Sequence, residues 1–412
     1  MDQVAPWLGL LVLQPSPFCN IDCDYCYLPA RMEKRRMSWE VLEAAVRQVY
    51  EADLIPDALN IVWHAGEPLA VPREWYREAF ARIRAIAPEG AQVNHSFQSN
   101  GTLVSQEWCD FMREHNVQIG LSIDGPAHIH DAHRKTRGGK GTHAGAMRAM
   151  DLLRRNGFQF HCIAVITKDG LDHPDEIFNF FLENGVHHVG FNIEEVEGNH
   201  TISTLTGEAP GRVETFLRRI FELEVQHAPV LEVREFRNAR DLIQMGPPPR
   251  DEAGYPWYND QVRPFGILAV DTDGNISTFS PELLGLKHER WGVFSFGNIL
   301  REGLAGAMEN EKFRAVLTEI NAGVKKCADT CPYYAFCGGG APANKLYENG
   351  TFDSSETMYC RYTQQLPLEL TLSYVEKKLA EEQITAAAQP SEMPGAAPVA
   401  APTPTAAACG RI

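Results

Sequence analysis

The chain of 412 residues contains no apolar run long enough to cross a bilayer, and its amino terminus lacks the basic residues of an export signal. We therefore expect a cytoplasmic protein. Basic residues are also in deficit, since 38 Lys and Arg stand against 54 Asp and Glu, for a net charge of −16. This excess of negative charge argues against general binding to nucleic acid or to an anionic membrane. Without an export signal, the ten cysteines indicate metal ligation rather than disulfide bonds.

Strand-like and helix-like segments alternate through the first half of the chain. Apolar runs predict six strands, at 8–14, 58–64, 92–98, 117–123, 158–166 and 186–193. Amphipathic patterns predict helices at 38–53, 72–87, 105–115, 143–156, 173–184 and 210–226. Six β/α repeats indicate an α/β fold with parallel strands. The pattern alone fits a barrel or a doubly wound open sheet, and both folds collect functional groups at the carboxyl ends of their strands.

Three cysteines that follow the first strand form the most specific motif. Cys19, Cys23 and Cys26 have the spacing C-x-x-x-C-x-x-C. A structural zinc site takes four protein ligands, whereas a [4Fe–4S] cluster held by three cysteines keeps one iron open to a small molecule. Zinc binding and three ordinary core cysteines remain the alternatives from the residues alone.

This motif, with a tyrosine on each side of the third cysteine, resembles the signature of the radical S-adenosylmethionine (SAM) enzymes. The resemblance covers about residues 1–230 and implies a partial (β/α)6 TIM-like barrel, in which a [4Fe–4S] cluster cleaves SAM to a 5′-deoxyadenosyl radical. It implies SAM contacts at Gly66, Glu67, Gln98, Asn100, Ser122, Asp124, Arg134 and Ile166. Glu67 would accept from the SAM ammonium group, and Arg134 would hold the SAM carboxylate in a planar fork.

A second set of cysteines lies towards the other end of the chain. Cys327, Cys331, Cys337 and Cys360 offer four thiolates, which close a site completely and suit a [4Fe–4S] cluster or zinc. Their arrangement resembles the SPASM domain, a C-terminal extension of many peptide-modifying radical SAM enzymes, and implies one auxiliary [4Fe–4S] cluster. A second auxiliary cluster is not expected, because Phe279 and Ala341 stand where that domain has cysteine ligands.

The segments STFSPELLG, CGGGAPANKLYENG and SSETMYCR resemble the cyclophane-forming maturases of glycine-rich-repeat peptides (GrrM-like). The resemblance implies a ribosomally made precursor peptide as substrate and a flavodoxin- or ferredoxin-type electron donor. The product would be a three-residue cyclophane, with a carbon–carbon bond from an aromatic side chain to the β-carbon of a residue two positions on. Rearomatisation of the attacked ring releases a proton and an electron, so a base is needed. Glu282 is the candidate base, ahead of Asp271 and Asp273.

Other functions remain open at this point. Within the same class, the alternatives are thioether crosslinking and the oxidation of a sulfatase cysteine or serine to formylglycine. Ser280 counts against the sulfatase reaction, because it stands where those maturases carry an aspartate. From a different class, a non-catalytic zinc-dependent peptide-binding protein could use the same cysteines.

Composition divides the chain into four expected regions. These are the barrel at 1–230, a connector at 231–264, the SPASM module at 265–375, and a disordered tail rich in Ala and Pro at 376–412. The SPASM module should open with a hairpin turning at Asp273–Gly274. Cys409, in the tail, is expected to be a bystander. The histidines at 128, 130 and 133 are expected in a solvated loop.

Overall fold

The computed structural model describes residues 7–208, 210–246 and 259–388. Its strands are β1 (Leu10–Leu13), β2 (Ile21–Cys23), β3 (Ala58–Trp63), β4 (Gln92–Ser99), β5 (Gln118–Ser122), β6 (Arg134–Thr136), β7 (His161–Ile166), β8 (His188–Ile193), β9 (Glu232–Val233), β10 (Ile267–Val270), β11 (Asn275–Thr278), β12 (Lys287–His288), β13 (Gly292–Val293) and β14 (Gly297–Asn298). Its helices are α1 (Trp39–Glu51), α2 (Arg73–Ile86), α3 (Gln106–His115), α4 (Ala127–His133), α5 (His143–Arg155), α6 (Pro174–Glu183), α7 (Pro210–His227), α8 (Arg234–Met245), α9 (Gly303–Glu309), α10 (Glu311–Thr330), α11 (Tyr334–Cys337), α12 (Pro342–Asn349) and α13 (Leu366–Ala388). Residues up to Thr371 belong to one compact unit.

The helices begin where polar caps precede an amphipathic run. Ser38 accepts a hydrogen bond from the Val41 amide at the start of α1, and Ser105 does the same for Trp108 at the start of α3. Thr142 precedes α5 but makes no such cap. Its hydroxyl donates instead to the Arg134 carbonyl at 2.9 Å. The six predicted strands and six predicted helices are all present, with ends that differ by a few residues.

The predicted strands lie side by side in chain order within one ten-stranded sheet. The order is β14-β11-β10-β1-β3-β4-β5-β7-β8-β9, and all pairs from β10 through β1 to β9 are parallel. In a doubly wound sheet, the order of the strands reverses partway across the sheet. In this sheet the barrel strands follow one another in chain order, as in a partial barrel, so the barrel prediction is confirmed.

The hairpin at the start of the C-terminal module continues this same sheet. Strand β10 pairs in parallel with β1, with Leu10 opposite Ile267 and Leu13 opposite Val270. Strand β11 then returns antiparallel to β10 through the predicted turn, where Gly274 has a φ of +82°. The first strand of the barrel therefore has a partner on both sides.

Two short elements near the first cysteine loop were not predicted. Strand β2 pairs antiparallel with β6, which places Cys23 opposite Arg134. Helix α4 occupies the segment that was expected to be a solvated loop, and that expectation is wrong for His130 and His133, which are buried. His130 is held by the amide of Asp124 and by Thr142. His128 is exposed, as expected.

The C-terminal tail also departs from its prediction. Helix α13 extends to Ala388, so residues 376–388 are helical rather than disordered. Glu, Lys, Leu and Ala dominate that stretch, and they are the strongest helix formers. The remaining tail residues, including Cys409, lie outside the described part of the chain, as do 247–258 of the predicted connector. No helix that is described here is both long and apolar enough to cross a bilayer.

Candidate functional site

The loop after β1 brings three cysteines together at the carboxyl edge of the sheet. The Cys19 amide donates to the Arg31 carbonyl at 3.0 Å, and the Cys26 amide donates to the Cys23 carbonyl at 3.4 Å. Each of the three thiols is close enough to influence the others electrostatically. Burial raises the pKa of Cys19 and of Cys23 to about 12. A bound metal would favour the thiolates, because metal ligation releases the proton.

One group of three potential metal ligands among the described residues has its ligand atoms within 4.8 Å of one another, namely His128, His173 and Glu176. His128 and Glu176 are exposed, and exposed polar groups often lie this close without a metal ion.

The end of β3 is fixed against the first cysteine loop by a glycine whose backbone conformation and close neighbours disfavour any side chain. Gly66 has a φ of +143°, and a Cβ there would lie 2.2 Å from the Ser16 carbonyl oxygen. The next amide, that of Glu67, donates to the Phe18 carbonyl at 2.8 Å. On the other side, Gln14 donates to the Ala65 carbonyl at 2.7 Å. The chain immediately before Cys19 is thus held by β3.

The Glu67 carboxylate joins the ends of two strands. It accepts from the Leu69 amide at 3.0 Å, the Ser99 hydroxyl at 2.8 Å and the Asn100 amide at 2.9 Å. Burial raises its pKa to about 7, although these donors oppose the shift. The structure gives Glu67 a structural role at the ends of β3 and β4, and its contact with SAM stays a prediction.

Asp124 and Arg134 form a buried ion pair next to Cys23. Arg134 donates through Nε at 2.9 Å and through Nη2 at 3.0 Å to the two carboxylate oxygens. The Tyr25 hydroxyl and the Val165 amide donate to the same carboxylate at 2.5 and 2.9 Å. Burial would raise the pKa of Asp124, but Arg134 and these donors hold it below its ordinary value. Nε and Nη2 of Arg134 thus both bind Asp124, and Nη1 takes no part in this ion pair.

The other predicted SAM contacts occupy neighbouring strand ends. Gln98 on β4 donates to the Ser122 hydroxyl at the end of β5 at 3.0 Å. The Asn100 side chain donates to Asn20 at 2.9 Å and lies 3.8 Å from the Cys19 sulfur. Ile166 is buried in the core, whereas Val165, on the opposite face of β7, lines the cavity described next. Val165 rather than Ile166 is therefore placed to meet a ligand.

A cavity of about 530 Å³ opens from the first cysteine loop to the second cysteine set. Its wall includes Cys23 and Cys26 from the loop, Cys337 from the second set, and Arg134 and Val165 from the barrel. Residues at and after β8, helix α8, the segment after β11 and residues between 333 and 368 supply most of the rest of the described lining. The two cysteine sets therefore face one shared space.

Three of the carboxylates that line this cavity act on one another electrostatically. Glu195 and Glu197 follow β8, and Glu282 follows the hairpin of β10 and β11. Burial raises the pKa of Glu195 to about 7, and burial with the charges of Glu282 and Glu195 raises the pKa of Glu197 further. Burial also raises the pKa of Glu282, which accepts a hydrogen bond from Ser280. Glu282 and Glu197 also act electrostatically on Tyr27, the residue after Cys26.

The structure separates Glu282 from the two weaker base candidates. Asp271 accepts from the Asp273 and Asn275 amides at 2.9 Å each and so stabilises the hairpin turn. Asp273 forms an exposed ion pair with Arg35. Of the three, Glu282 lines the cavity among the described residues.

The second cysteine set surrounds a smaller cavity of about 240 Å³, which all four of its residues line. The Gly340 amide donates to the Cys337 sulfur at 3.1 Å, and the Thr357 hydroxyl donates to the Cys360 sulfur at 3.3 Å. Burial, reinforced by the neighbouring Cys360 and Cys327, raises the pKa of Cys337 to about 12. Four convergent sulfurs with donors aimed at them fit a four-cysteine [4Fe–4S] cluster.

Apolar packing fills the positions of the cysteines expected for a second auxiliary cluster. Phe279 is fully buried and lies between Phe296 and Phe313, with ring centroids 6.4 and 6.0 Å away. Ala341 is also buried. These positions offer no ligand atom to a metal.

Residues 13–181, within the barrel, match the family model described as "Radical SAM superfamily", so the barrel is a radical SAM domain. This match supports SAM and a [4Fe–4S] cluster as cofactors, and the residues that hold them remain predictions.

Among its relatives is an uncharacterised protein of Synechocystis, sll1766, which is 41% identical over 376 residues, covering 90% of this chain and 93% of the relative. A serine-type anaerobic sulfatase-maturating enzyme of Bacteroides thetaiotaomicron is 25% identical over 408 residues, covering 93% and 95%. These matches extend well beyond the barrel into the C-terminal module.

Two solved structures share the whole fold. The sulfatase-maturating enzyme anSMEcpe with bound AdoMet and Cp18Cys peptide superposes with a TM-score of 0.70 at 20% identity, over 92% of this chain and 99% of that one. Streptococcus suis SuiB bound to its precursor peptide SuiA gives a TM-score of 0.62 at 14% identity, over 86% and 76%. The expected barrel with a SPASM module is thereby confirmed as the fold.

Several residues of the cavity were not predicted from the sequence. Glu195 and Glu197 were available as an acidic run at the carboxyl end of the sixth predicted strand, in FNIEEVEG. Arg234, at the start of α8, lines the same cavity and donates to Glu235 and Asn192. No pattern indicated Arg234, because α8 lies within the predicted connector.

Proposed function

We propose that this protein is a radical SAM enzyme that modifies a ribosomally made precursor peptide. The product is a three-residue cyclophane, in which an aromatic side-chain carbon is joined to the β-carbon of a residue two positions on. The observation that carries the proposal is the single cavity of about 530 Å³ bounded by Cys23 and Cys26 on one side and Cys337 on the other. This arrangement gives one peptide segment access to a radical source, a base and an electron acceptor.

The residues divide the work between cofactor binding and proton transfer. Cys19, Cys23 and Cys26 would hold the SAM-binding cluster, and the four later cysteines would hold one auxiliary cluster. When bound, SAM with its cluster supplies a radical that removes a hydrogen atom from the β-carbon, and the auxiliary cluster supplies an acceptor for the electron released as the attacked ring regains aromaticity.

Glu282 takes the ring proton in this proposal. Its carboxylate lies in the cavity beside Glu197 and Glu195, and burial raises its pKa towards the range in which a carboxylate is an effective base near neutral pH. The peptide would lose two hydrogens in total, one as an atom to the 5′-deoxyadenosyl radical and one as a proton to Glu282, and a cluster held by the four later cysteines would accept the accompanying electron. A flavodoxin- or ferredoxin-type donor remains the predicted source of the initiating electron.

Formylglycine formation is the second candidate. It is favoured by the similarity to the Bacteroides serine-type sulfatase-maturating enzyme over 93% of this chain. That reaction also needs a radical, a base and an electron acceptor. Ser280, where the resemblance expects an aspartate, and the buried Phe279 beside it weigh against this candidate.

The test compares two peptides with the reconstituted protein, SAM and dithionite. One is the short glycine-rich peptide encoded nearest to the gene, and the other is a sulfatase peptide with serine or cysteine at the modified position. The first should lose two hydrogens per crosslink and show no fragmentation inside a segment that begins with an aromatic residue. Replacing that aromatic residue with alanine should abolish the product. A hydrazide-reactive aldehyde on the sulfatase peptide would support formylglycine formation, and a bond through cysteine sulfur would support thioether crosslinking.

A further inference from the structure

A lysine lies buried against the second cysteine set. Lys345, on α12, is 1% exposed, and its ammonium group donates to the Cys327 sulfur at 3.3 Å. No carboxylate of the described residues forms an ion pair with this ammonium group. Lys345 therefore directs its positive charge at a sulfur of the second cysteine set.

The surroundings of Lys345 make its charge costly unless a negative group lies beside it. Ala343 and Leu346, its neighbours on α12, are buried, and the helix is covered over most of its length. Burying an ammonium group without a counter-charge is strongly unfavourable. A neutral thiol does not offset this cost, whereas thiolates bound to a metal cluster carry net negative charge. The lysine thus fits a site whose occupant is anionic.

A glycine lies next to both the lysine and Cys360. Gly340 has a φ of +74°, and a Cβ there would lie 3.1 Å from the Cys360 sulfur and 3.8 Å from the Lys345 Cε. A side chain at 340 would therefore crowd the Cys360 sulfur and contact the lysine.

We propose that Lys345 is a positioning residue that raises the reduction potential of the auxiliary cluster and so makes it a better acceptor of the electron released during crosslinking. The inference rests on the auxiliary cluster of the proposed function. Reduction adds one negative charge to a four-cysteine cluster, and a fixed cation at its sulfur stabilises the reduced form more than the oxidised form. Net charge and hydrogen bonds to the sulfurs are the established determinants of such potentials.

The experiment measures the potential directly, in the absence of peptide. In the full-length chain, the three barrel cysteines are replaced with alanine so that one cluster remains, and iron and sulfide are counted before each titration. Reduction is followed by electron paramagnetic resonance at controlled potentials. The variants are Lys345→Met, which removes the charge, and Lys345→Arg, which keeps it. Lys326→Met is the matched control, because Lys326 adjoins Cys327 but is exposed and pairs with Asp353 at 3.0 Å.

Lys345→Met should lower the reduced-to-oxidised ratio at a fixed potential at least tenfold, which corresponds to a downward shift of about 59 mV for a one-electron couple. Lys345→Arg should stay near the parent value, and Lys326→Met should match it. An unchanged or higher potential in Lys345→Met would overturn the proposal.

Loss of iron from the variants and binding of zinc by the parent chain would lead to different conclusions. If Lys345→Met holds no iron, Lys345→Gln takes its place and should show the same downward shift. Loss of iron from both neutral variants, with retention by Lys345→Arg, would mean that the lysine serves cluster assembly, and the tuning role would be wrong. Zinc instead of iron in the parent chain would refute the auxiliary cluster of the proposed function itself, and the role of Lys345 with it.

Discussion

Replacing Arg134 with methionine should destabilise the protein strongly, because it leaves Asp124 charged and buried. The two side chains are 8% and 1% exposed, and they share two hydrogen bonds of 2.9 and 3.0 Å. Removing one partner of a buried ion pair costs about 3–5 kcal/mol. Tyr25 and the Val165 amide still donate to the carboxylate, so we expect the lower end of that range.

Three further variants test whether the loss of stability in Arg134→Met comes from the unpaired charge of Asp124. Arg134→Lys keeps the charge but loses the planar fork, so we expect a smaller loss of about 1–2 kcal/mol together with weaker SAM binding. The double variant Asp124→Asn with Arg134→Met removes both charges and should be less destabilised than Arg134→Met alone. Arg155→Met is the control, because its pair with Asp151 lies on the surface, and it should change stability by less than about 0.5 kcal/mol.

Denaturant titrations across pH supply the decisive measurement. In the parent protein the pKa of Asp124 is lowered on folding, so its contribution to stability is present above the unfolded pKa of about 4 and is lost as pH falls through the folded value. In Arg134→Met, burial without the cation raises the folded pKa instead, so stability is lost as pH rises above about 4. The difference between the two proteins should therefore shrink as pH falls towards 4. A difference that is constant with pH, or a double variant as unstable as Arg134→Met, would refute this reasoning.

Three further predictions concern other parts of the site. Gly66→Ala should lower the free energy of unfolding by about 3 kcal/mol or more and reduce iron loading, because its Cβ would meet a backbone oxygen at 2.2 Å. Gly90→Ala is the control, because Gly90 has a φ of +80° with no atom within 4 Å of its Cβ position, and it should cost about 1–2 kcal/mol. Equal losses of stability in denaturant titrations would show that the collision at Gly66 is relieved at little cost. Anaerobic reconstitution should give about eight irons per chain, and about four after the barrel cysteines are replaced with alanine. A count near twelve would indicate a second auxiliary cluster, and zinc alone would indicate a non-catalytic protein. Glu282→Gln should abolish crosslinking while 5′-deoxyadenosine still forms, and Glu289→Gln, at an exposed glutamate, is the control. The crosslinking rate of the parent protein should rise with pH through a value above the ordinary glutamate range, because burial raises the pKa of Glu282. Normal crosslinking in Glu282→Gln would show that Glu282 is not the base.

The barrel was predictable from the sequence because its strands and helices are long and strictly periodic. Residues 58–64 and 186–193 read as apolar strands and form β3 and β8 almost unchanged. The glycine and acidic residues after those strands fall at the carboxyl edge, where parallel sheets collect their functional groups. The resemblance of the cysteine motif to the radical SAM signature then predicted the class of chemistry from the sequence.

The parts that escaped prediction depend on contacts between distant segments. The position of Arg134 opposite Cys23 needs β2 and β6 to pair, and each strand is only three residues long, too short for a periodic pattern. The group of Glu195, Glu197 and Glu282 joins residues about ninety positions apart. The same holds for Lys345, whose role depends on where Cys327 lies. Local patterns carry no information about which segments meet across a fold.

The pairing of β1 with β10 has a consequence for how the C-terminal module could be exchanged or removed. Because Leu10–Leu13 is bonded to β3 on one side and to Ile267–Val270 on the other, a chain that stopped before β10 would bare four residues of apolar backbone along the edge of the sheet. Such an edge invites pairing with other molecules. Any module grafted in its place must bring a parallel strand in this register. Chimaeras that keep β10 should remain monodisperse in solution, and those that omit it should aggregate.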